Sequence, residues 1–206
     1  MLHHYKGKWP KLGERVYIAE GAQIIGDVEI GDHSSIWFNS VIRGDVYYVR
    51  IGQHTNIQDG CVGHVQKDQC ALILKDYVTV GHGVMMHGCT IESHCLIGMR
   101  ATILNDVVVG EYSIIGAGAL VTERTIIPPR SLVLGFPAKV KRALSDEEAS
   151  RIDEYARRYY QYKETYLTME AAEPARSASA TAARGRQSEA SNEPRSLKRR
   201  PKPLPQ

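Results

Sequence analysis

The chain has 206 residues, a formal net charge of +3, 43% hydrophobic residues and four cysteines. That is length enough for one folded domain with its own core. No apolar run is long enough to span a bilayer, and Met1–Trp9 lacks the apolar stretch of a secretory leader, so a cytoplasmic protein without a membrane span is expected. The charge is uneven: residues 171–206 hold eight Lys and Arg against three Glu, a net +5, which leaves the first 170 residues at about −2.

In chain order, residues 1–11 read as an N-terminal arm. Residues 12–143 carry a six-residue repeat. An aliphatic anchor recurs at Ile18, Ile24, Ile30, Ile36 and Ile42, resumes at Ile51 and Ile57, and continues at Leu74, Val80 and Met86. After one five-residue step it runs through Ile91, Ile97, Ile103, Val109, Ile115 and Val121. Four positions after most anchors stands a small or β-branched residue, among them Ser34, Ser40, Thr55, Cys61, Cys95, Ala101, Ser113 and Ala119. Glycine often follows the anchor directly, as at Gly31, Gly52, Gly81, Gly98, Gly110 and Gly116, and is expected to supply the backbone angles of tight corners. A period of six is not the 3.6 of an amphipathic helix. It predicts an all-β coil of short parallel strands, the hexapeptide β-helix, whose stacked coils bury the aliphatic rows. A β-sandwich with glycine-rich turns is the competing arrangement.

A turn follows at Gly135-Phe136-Pro137-Ala138. Residues 144–169 read as a C-terminal helix opened by a capping box, Ser145 to Glu148. Ile152, Tyr155, Tyr159, Tyr162 and Tyr166 form one helical stripe, expected to pack along the coil. Residues 170–206 are rich in Ala, Ser, Arg and Pro and are expected to be a disordered basic tail. Its Lys198–Lys202 cluster suits an anionic partner or plain solvation. The folded part shows no aromatic and basic interleaving, so no nucleic-acid contact is expected there. Cys61, Cys70, Cys89 and Cys95 have no CxxC spacing and read as reduced thiols, with Cys70, in an irregular loop, the one placed toward solvent.

Among the histidines, His33, His54 and His94 each stand three residues after an anchor, in an outward slot, and read as surface residues. His64, His82 and His87 share no slot of the repeat. Imidazole is a common zinc ligand, and a catalytic zinc takes three protein ligands and keeps a fourth position for water. His82 and His87 are expected on consecutive strands around a corner, so one chain can hardly aim both at one ion, whereas a threefold assembly lets a neighbour supply the third ring. Three separate polar residues near corners would leave the same pattern.

The run Arg43-Gly44-Asp45, then Asn56-Ile57-Gln58-Asp59-Gly60 leading to His64, then Gly81-His82 and His87-Gly88-Cys89 resembles the gamma-class carbonic anhydrase family, over about residues 10–168. The resemblance implies a left-handed parallel β-helix that assembles as a homotrimer, with Zn2+ (Fe2+ or Co2+ being equally acceptable to imidazole) at the subunit interfaces. His64 and His87 would bind from one subunit and His82 from the next. Arg43 would pair with Asp45 and Asp59 near the interface, Gln58 would hydrogen-bond the metal-bound water, Asn56 would orient Gln58, and Tyr159 would approach from the helix. The implied reaction is reversible hydration of carbon dioxide to bicarbonate by metal-bound hydroxide. Two departures stand out. Val46 occupies a position where family enzymes carry glutamate, and the loop 65–71 has a single acid, Asp68, where the family has an acidic loop that moves protons. Three alternatives stay open: a hexapeptide acyltransferase, metal-assisted hydrolysis of acyl-coenzyme A thioesters at the same site, and a catalytically weak metal-binding scaffold subunit.

Overall fold

A computed structural model of the chain describes residues 1–172; the basic tail predicted from residue 170 lies, from residue 173 onward, outside the described residues. The coil and the helix as far as Leu167 form one unit. The chain winds as a parallel β-helix of about seven turns. Each coil contributes a short strand to each of three faces. The first face contains Val62–His64, Met85–His87, Thr102–Ile103 and Leu120–Val121, and the second contains Leu72–Leu74, Thr90–Ile91, Val108–Val109 and Ile126–Ile127. These two faces belong to one sheet, because Gln23–Ile30 and Val41–Ile51 run through the corner between them with a register shift at Gly26/Val28. The third face stacks Tyr17–Ile18, Ser35–Ile36, Asn56–Ile57, Thr79–Val80, Leu96–Ile97, Ile114–Ile115 and Ser131–Gly135. The last of these is covered by an antiparallel strand, Ala138–Ala143. Residues 1–11 are less separate than an arm: Leu2–His3 and Lys11–Leu12 both pair in parallel with Gln23–Ile30.

The repeat explains the core. The anchors from Ile24 to Val121 are buried, and so are the small residues of the second slot from Val28 to Ala119. Polar members of that slot bridge successive coils. Ser34 Oγ donates to the Gly52 carbonyl at 2.7 Å and accepts from the Thr55 amide at 3.0 Å. Ser40 does the same with the Gln58 carbonyl and the Cys61 amide, and Thr55 with the Lys75 carbonyl and the Val78 amide. The buried hydroxyls thus satisfy backbone groups where a corner interrupts the strand ladder. All four cysteines are buried free thiols, Cys70 included. Its Sγ donates to Asp106 Oδ1 at 3.0 Å, so the irregular loop turns that side chain inward.

Two corner expectations need correction. Gly31, Gly98 and Gly110 do not adopt positive φ; they are small because the coils stack tightly there, and an added Cβ would meet backbone atoms of the next coil at 2.7, 2.5 and 2.5 Å respectively. The left-handed conformation falls instead on non-glycine residues: Arg15, His33, His54, Tyr77, His94, Tyr112 and Arg130 form one row up the corner between the second and third faces, with φ between 50° and 59°. His33, His54 and His94 are therefore not simple surface residues. Their rings stack with Tyr77 and Tyr112 into a continuous ladder, with centroids 4.6–5.0 Å apart and planes within 24°.

A helix, α1 (Asp146–Ala172), lies along this row and extends three residues beyond the predicted boundary at residue 169. Its capping box forms as expected: the Ser145 amide donates to Glu148 Oε2 at 3.0 Å, and the Glu148 amide donates to Ser145 Oγ at 3.2 Å. The buried stripe is rotated from the tyrosine row. Ala149, Ile152, Ala156 and Lys163 are buried, while Tyr155, Tyr162 and Tyr166 are partly exposed. Ile152 of the predicted stripe is buried among them, and Tyr159 and Tyr166 pack on Trp37 of the coil, with Tyr166 also against Tyr17 and Phe38. Spacing matches along the contact. Arg130 pairs with Asp146, His94 with Asp153 at 2.6 Å, and Arg15 with Glu164. Eighteen helical residues rise about 27 Å, and the six coil steps from Arg130 to Arg15 rise about 29 Å. Among the described residues no helix is long and apolar enough to cross a membrane.

Candidate metal centre

His64 and His87 come together. They occupy paired positions on adjacent strands of the first face, at the edge where each coil turns toward the second face. His64 Nδ1 and His87 Nε2 lie 3.1 Å apart. The outer nitrogen of each ring is held by an acceptor: His64 Nε2 by Asp45 Oδ1 at 3.0 Å, and His87 Nδ1 by Asn105 Oδ1 at 2.7 Å. Asn105 Nδ2 faces Glu123 Oε1 at 3.5 Å, which orients the Asn105 oxygen toward the imidazole. Both outer nitrogens thus face an acceptor oxygen, which favours a proton there and leaves the two inner nitrogens, facing each other, as the candidate ligand atoms. This is the arrangement of metal-binding histidines, whose second N–H is held by a carboxylate or carbonyl. Two zinc–nitrogen bonds of about 2.1 Å at a tetrahedral angle span about 3.4 Å, so this donor pair fits such an ion.

Charge around the pair suits the same purpose. Burial lowers the His64 pKa from 6.5, with Asp45 pulling the other way and Arg43 adding to the lowering, so the ring is held neutral. Burial pushes Asp45 up, but hydrogen bonds from Arg43 at 2.6 Å and from His64 more than offset it, and the carboxyl lies below its ordinary value of 3.8. Arg43 thus keeps Asp45 ionised, and Asp45 in turn fixes the His64 tautomer.

His82 is elsewhere in the same chain. It stands at the opposite edge of the first face, separated from His87 by the strand Met85–His87, and its Nδ1 lies 2.7 Å from Asp59 Oδ2. Asp59 also accepts the Phe38 amide at 3.2 Å. Within one chain Asp59 is therefore bound to His82, and Arg43 is bound to Asp45. Gln58, Asn56 and Tyr159 gather on the His82 side. Asn56 Nδ2 donates to Thr79 Oγ1 at 2.9 Å, and Gln58 Nε2 donates to Asn56 Oδ1 at 3.3 Å, a buried chain that fixes the Gln58 carboxamide. Gln58, His82 and Tyr159 share the wall of a cavity of about 440 Å³ with Leu96, Met99 and Arg158. Tyr159 sits edge-on to Trp37, with ring centroids 5.3 Å apart, and burial together with the Asp59 charge raises its pKa. One chain thus carries two clusters at opposite edges of one face: a histidine pair with its supports, and a third histidine with the amide and tyrosine. Among the described residues no three His, Cys, Asp or Glu side chains of a single chain gather as a metal site.

Asn105 escaped the sequence reading. It stands 18 residues after His87, one coil further on, in a slot filled elsewhere by unrelated polar residues; only the coil period links the two.

Known proteins resemble this chain throughout the coil. The bacterial transferase hexapeptide (six repeats) model matches residues 10–44 and 88–123. A protein of Methanocaldococcus jannaschii named "Probable carbonic anhydrase" is 54% identical over 154 residues, 75% of this chain and 96% of that one. The chain belongs to the gamma carbonic anhydrase family. "Gamma carbonic anhydrase 2, mitochondrial" of Arabidopsis thaliana is 43% identical over 157 residues, 74% of this chain but 56% of that longer protein. Among solved structures, a Bacillus cereus protein assigned as an acetyltransferase superposes with a TM-score of 0.80 at 44% identity, covering 82% of this chain and 98% of that one. A shared hexapeptide coil therefore spans proteins given carbonic anhydrase names and proteins given transferase names, so the coil by itself does not fix the chemistry.

Proposed function

We propose that the protein is a trimeric, zinc-dependent gamma carbonic anhydrase that interconverts carbon dioxide and bicarbonate. The observation that carries this reading is the convergence of His64 Nδ1 and His87 Nε2 to 3.1 Å, with the outer nitrogen of each ring held by an acceptor oxygen. The two half-sites on opposite edges of one face support a threefold assembly, in which the pair of one subunit meets His82 of the next around a closed ring. When bound, the metal supplies a nucleophile at neutral pH by lowering the pKa of a coordinated water to about 7. His64 and His87 hold the ion, and Asp45 and Asn105 hold those rings in the one tautomer that can do so. Gln58, its nitrogen anchored on Asn56, presents its carboxamide oxygen to orient the attacking oxygen. Leu96, Ile97 and Met99 give an apolar wall suited to an uncharged substrate.

Proton removal is the step least provided for. Val46 has no ionisable group, and in the loop 65–71 the single acid is Asp68, whose amide faces the Val46 carbonyl at 3.4 Å. Turnover is therefore expected to rise with buffer concentration, since an external base must carry the proton. The test pairs metal content with carbon dioxide hydration. Wild type is expected to hold about one ion per chain and to hydrate carbon dioxide, and His87→Ala to lose both; equal rates in the two proteins would overturn the reading.

One observation favours a second substrate. A cavity of about 440 Å³ lined by Leu96, Met99, Tyr155 and Arg158 is far larger than carbon dioxide requires. The same nucleophile would hydrolyse a thioester whose acyl chain fills that space. Release of thiol from a panel of acyl-coenzyme A compounds, lost in His87→Ala, would establish it.

A further inference from the structure

The ring ladder beneath α1 has features that structural packing alone does not require. His33 and His54 lie at its lower end, stacked at 5.0 Å, with Tyr160 of the helix against both, at 5.8 and 5.5 Å. His33 Nδ1 is buried and has no hydrogen-bond partner, alone among buried side-chain nitrogens and oxygens of the described residues. Lys163 descends from the helix into the same place. Its side chain is fully buried, with Nζ 4.5 Å from the Tyr160 ring centroid and in contact with Glu164. A buried ammonium, two imidazoles and an unused ring nitrogen thus share one contact.

We propose that this cluster is a proton-operated latch: neutral His54, stacked on His33, holds the C-terminal half of α1 on the coil, and its protonation beside Lys163 releases it. The electrostatics follow from every element that packs there. The coil offers Asp32 and Asp76, which favour charge on His54, and the neighbouring His33, which opposes it. The helix offers Lys163, which opposes it, and Glu164, whose charge is shared between Lys163 and Arg15. Burial is the largest influence on His54 and also opposes charge, so the balance favours the neutral ring. The other end of the ladder behaves differently. His94 faces Asp153, and Tyr112 lies near Asp153, Glu111 and Arg130, so carboxylates rather than a buried ammonium meet the rings there. Acidification therefore loosens the end of the interface that holds Lys163. The loosened end carries Tyr159, next to Tyr160, so release would open the wall of the cavity beside Gln58 and His82.

The test reads the helix itself, by amide hydrogen exchange of residues 156–166 in the full chain, corrected for intrinsic rates, between pH 7.5 and 5.5. Protection of this segment is expected to fall several-fold in wild type over that range, while the strands Leu96–Ile97 and Ile114–Ile115 stay unchanged. His54→Asn keeps a residue that tolerates left-handed backbone and removes the titrating ring, so its profile is expected to be flat. Lys163→Met removes the buried charge and is expected to reduce the slope. A wild-type profile that is flat, or one that persists in both variants, overturns the proposal. Because no activity is measured, the outcome is independent of the carbonic anhydrase reading.

Discussion

Asn105 does for His87 what Asp45 does for His64, and the two supports differ in one respect: Asp45 is charged. Removing a group that orients a metal-binding histidine costs about 10–100-fold in metal affinity. Asn105→Ala is therefore expected to lower zinc affinity within that range while leaving the fold intact, which competition with a chelator would measure. The charge on Asp45 gives a second expectation. His64 is held below 6.5 in the folded chain, chiefly by burial, so both states are neutral above that value and folding gains nothing from the ring there. As pH falls below 6.5 the unfolded chain takes up the proton first, and stability is lost until pH passes the lower folded value. Asp45, itself depressed, stays ionised through this window and loses its contribution only below its ordinary value of 3.8. In metal-free protein His64 should titrate below 6.5 by NMR, and Asp45→Asn should move its midpoint lower still, because the partner that favours the imidazolium is gone. His64 and His87 could be singled out from sequence because they break the repeat. Asn105 could not, because it obeys it.

The corners are where sequence reading of the elements was weakest. The period of six located the buried rows because inward and outward positions repeat strictly. It could not tell a glycine needed for conformation from one needed for space, and the two make opposite predictions. Gly98→Ala and Gly110→Ala place a Cβ 2.5 Å from backbone of the next coil and should destabilise by about 1–3 kcal/mol or more through overpacking. Gly118 has φ +67° and nothing within 4 Å of an added Cβ, so Gly118→Ala should cost about 1–2 kcal/mol through the backbone alone, and Gly118→Asn less. Denaturant midpoints at constant slope separate the two cases. The helix face was legible only in part. Of the stripe at helical spacing, Ile152 is buried and Tyr159 and Tyr166 pack on Trp37, while Tyr155 and Tyr162 face outward and Ala149 and Ala156 fill the contact beside the ring ladder. The ladder itself depends on His33, His54 and His94 adopting left-handed backbone, which no hydrophobic pattern encodes.

At the scale of the whole molecule, the separation of His82 from the His64–His87 pair makes a prediction that a single-chain site would not. His82→Ala and His87→Ala should each be inactive. Co-refolded in equal amounts, they should recover about a quarter of wild-type sites, because a subunit lacking only His82 can borrow that ring from a neighbour lacking only His87 when the two meet in the right order around a threefold ring. Absence of recovery, with mixed trimers demonstrated by mass, would exclude a shared site. Finally, α1 touches the first coil through Arg15 and the last through Arg130, and its rise per residue makes those contacts commensurate with the number of coils between them. The helix is in effect a ruler. Duplicating one coil would leave either Glu164 or Asp146 a full step out of reach, so a longer solenoid would need about three more helical residues to restore both contacts. Lengthening this scaffold is thus a joint change in two distant stretches of sequence.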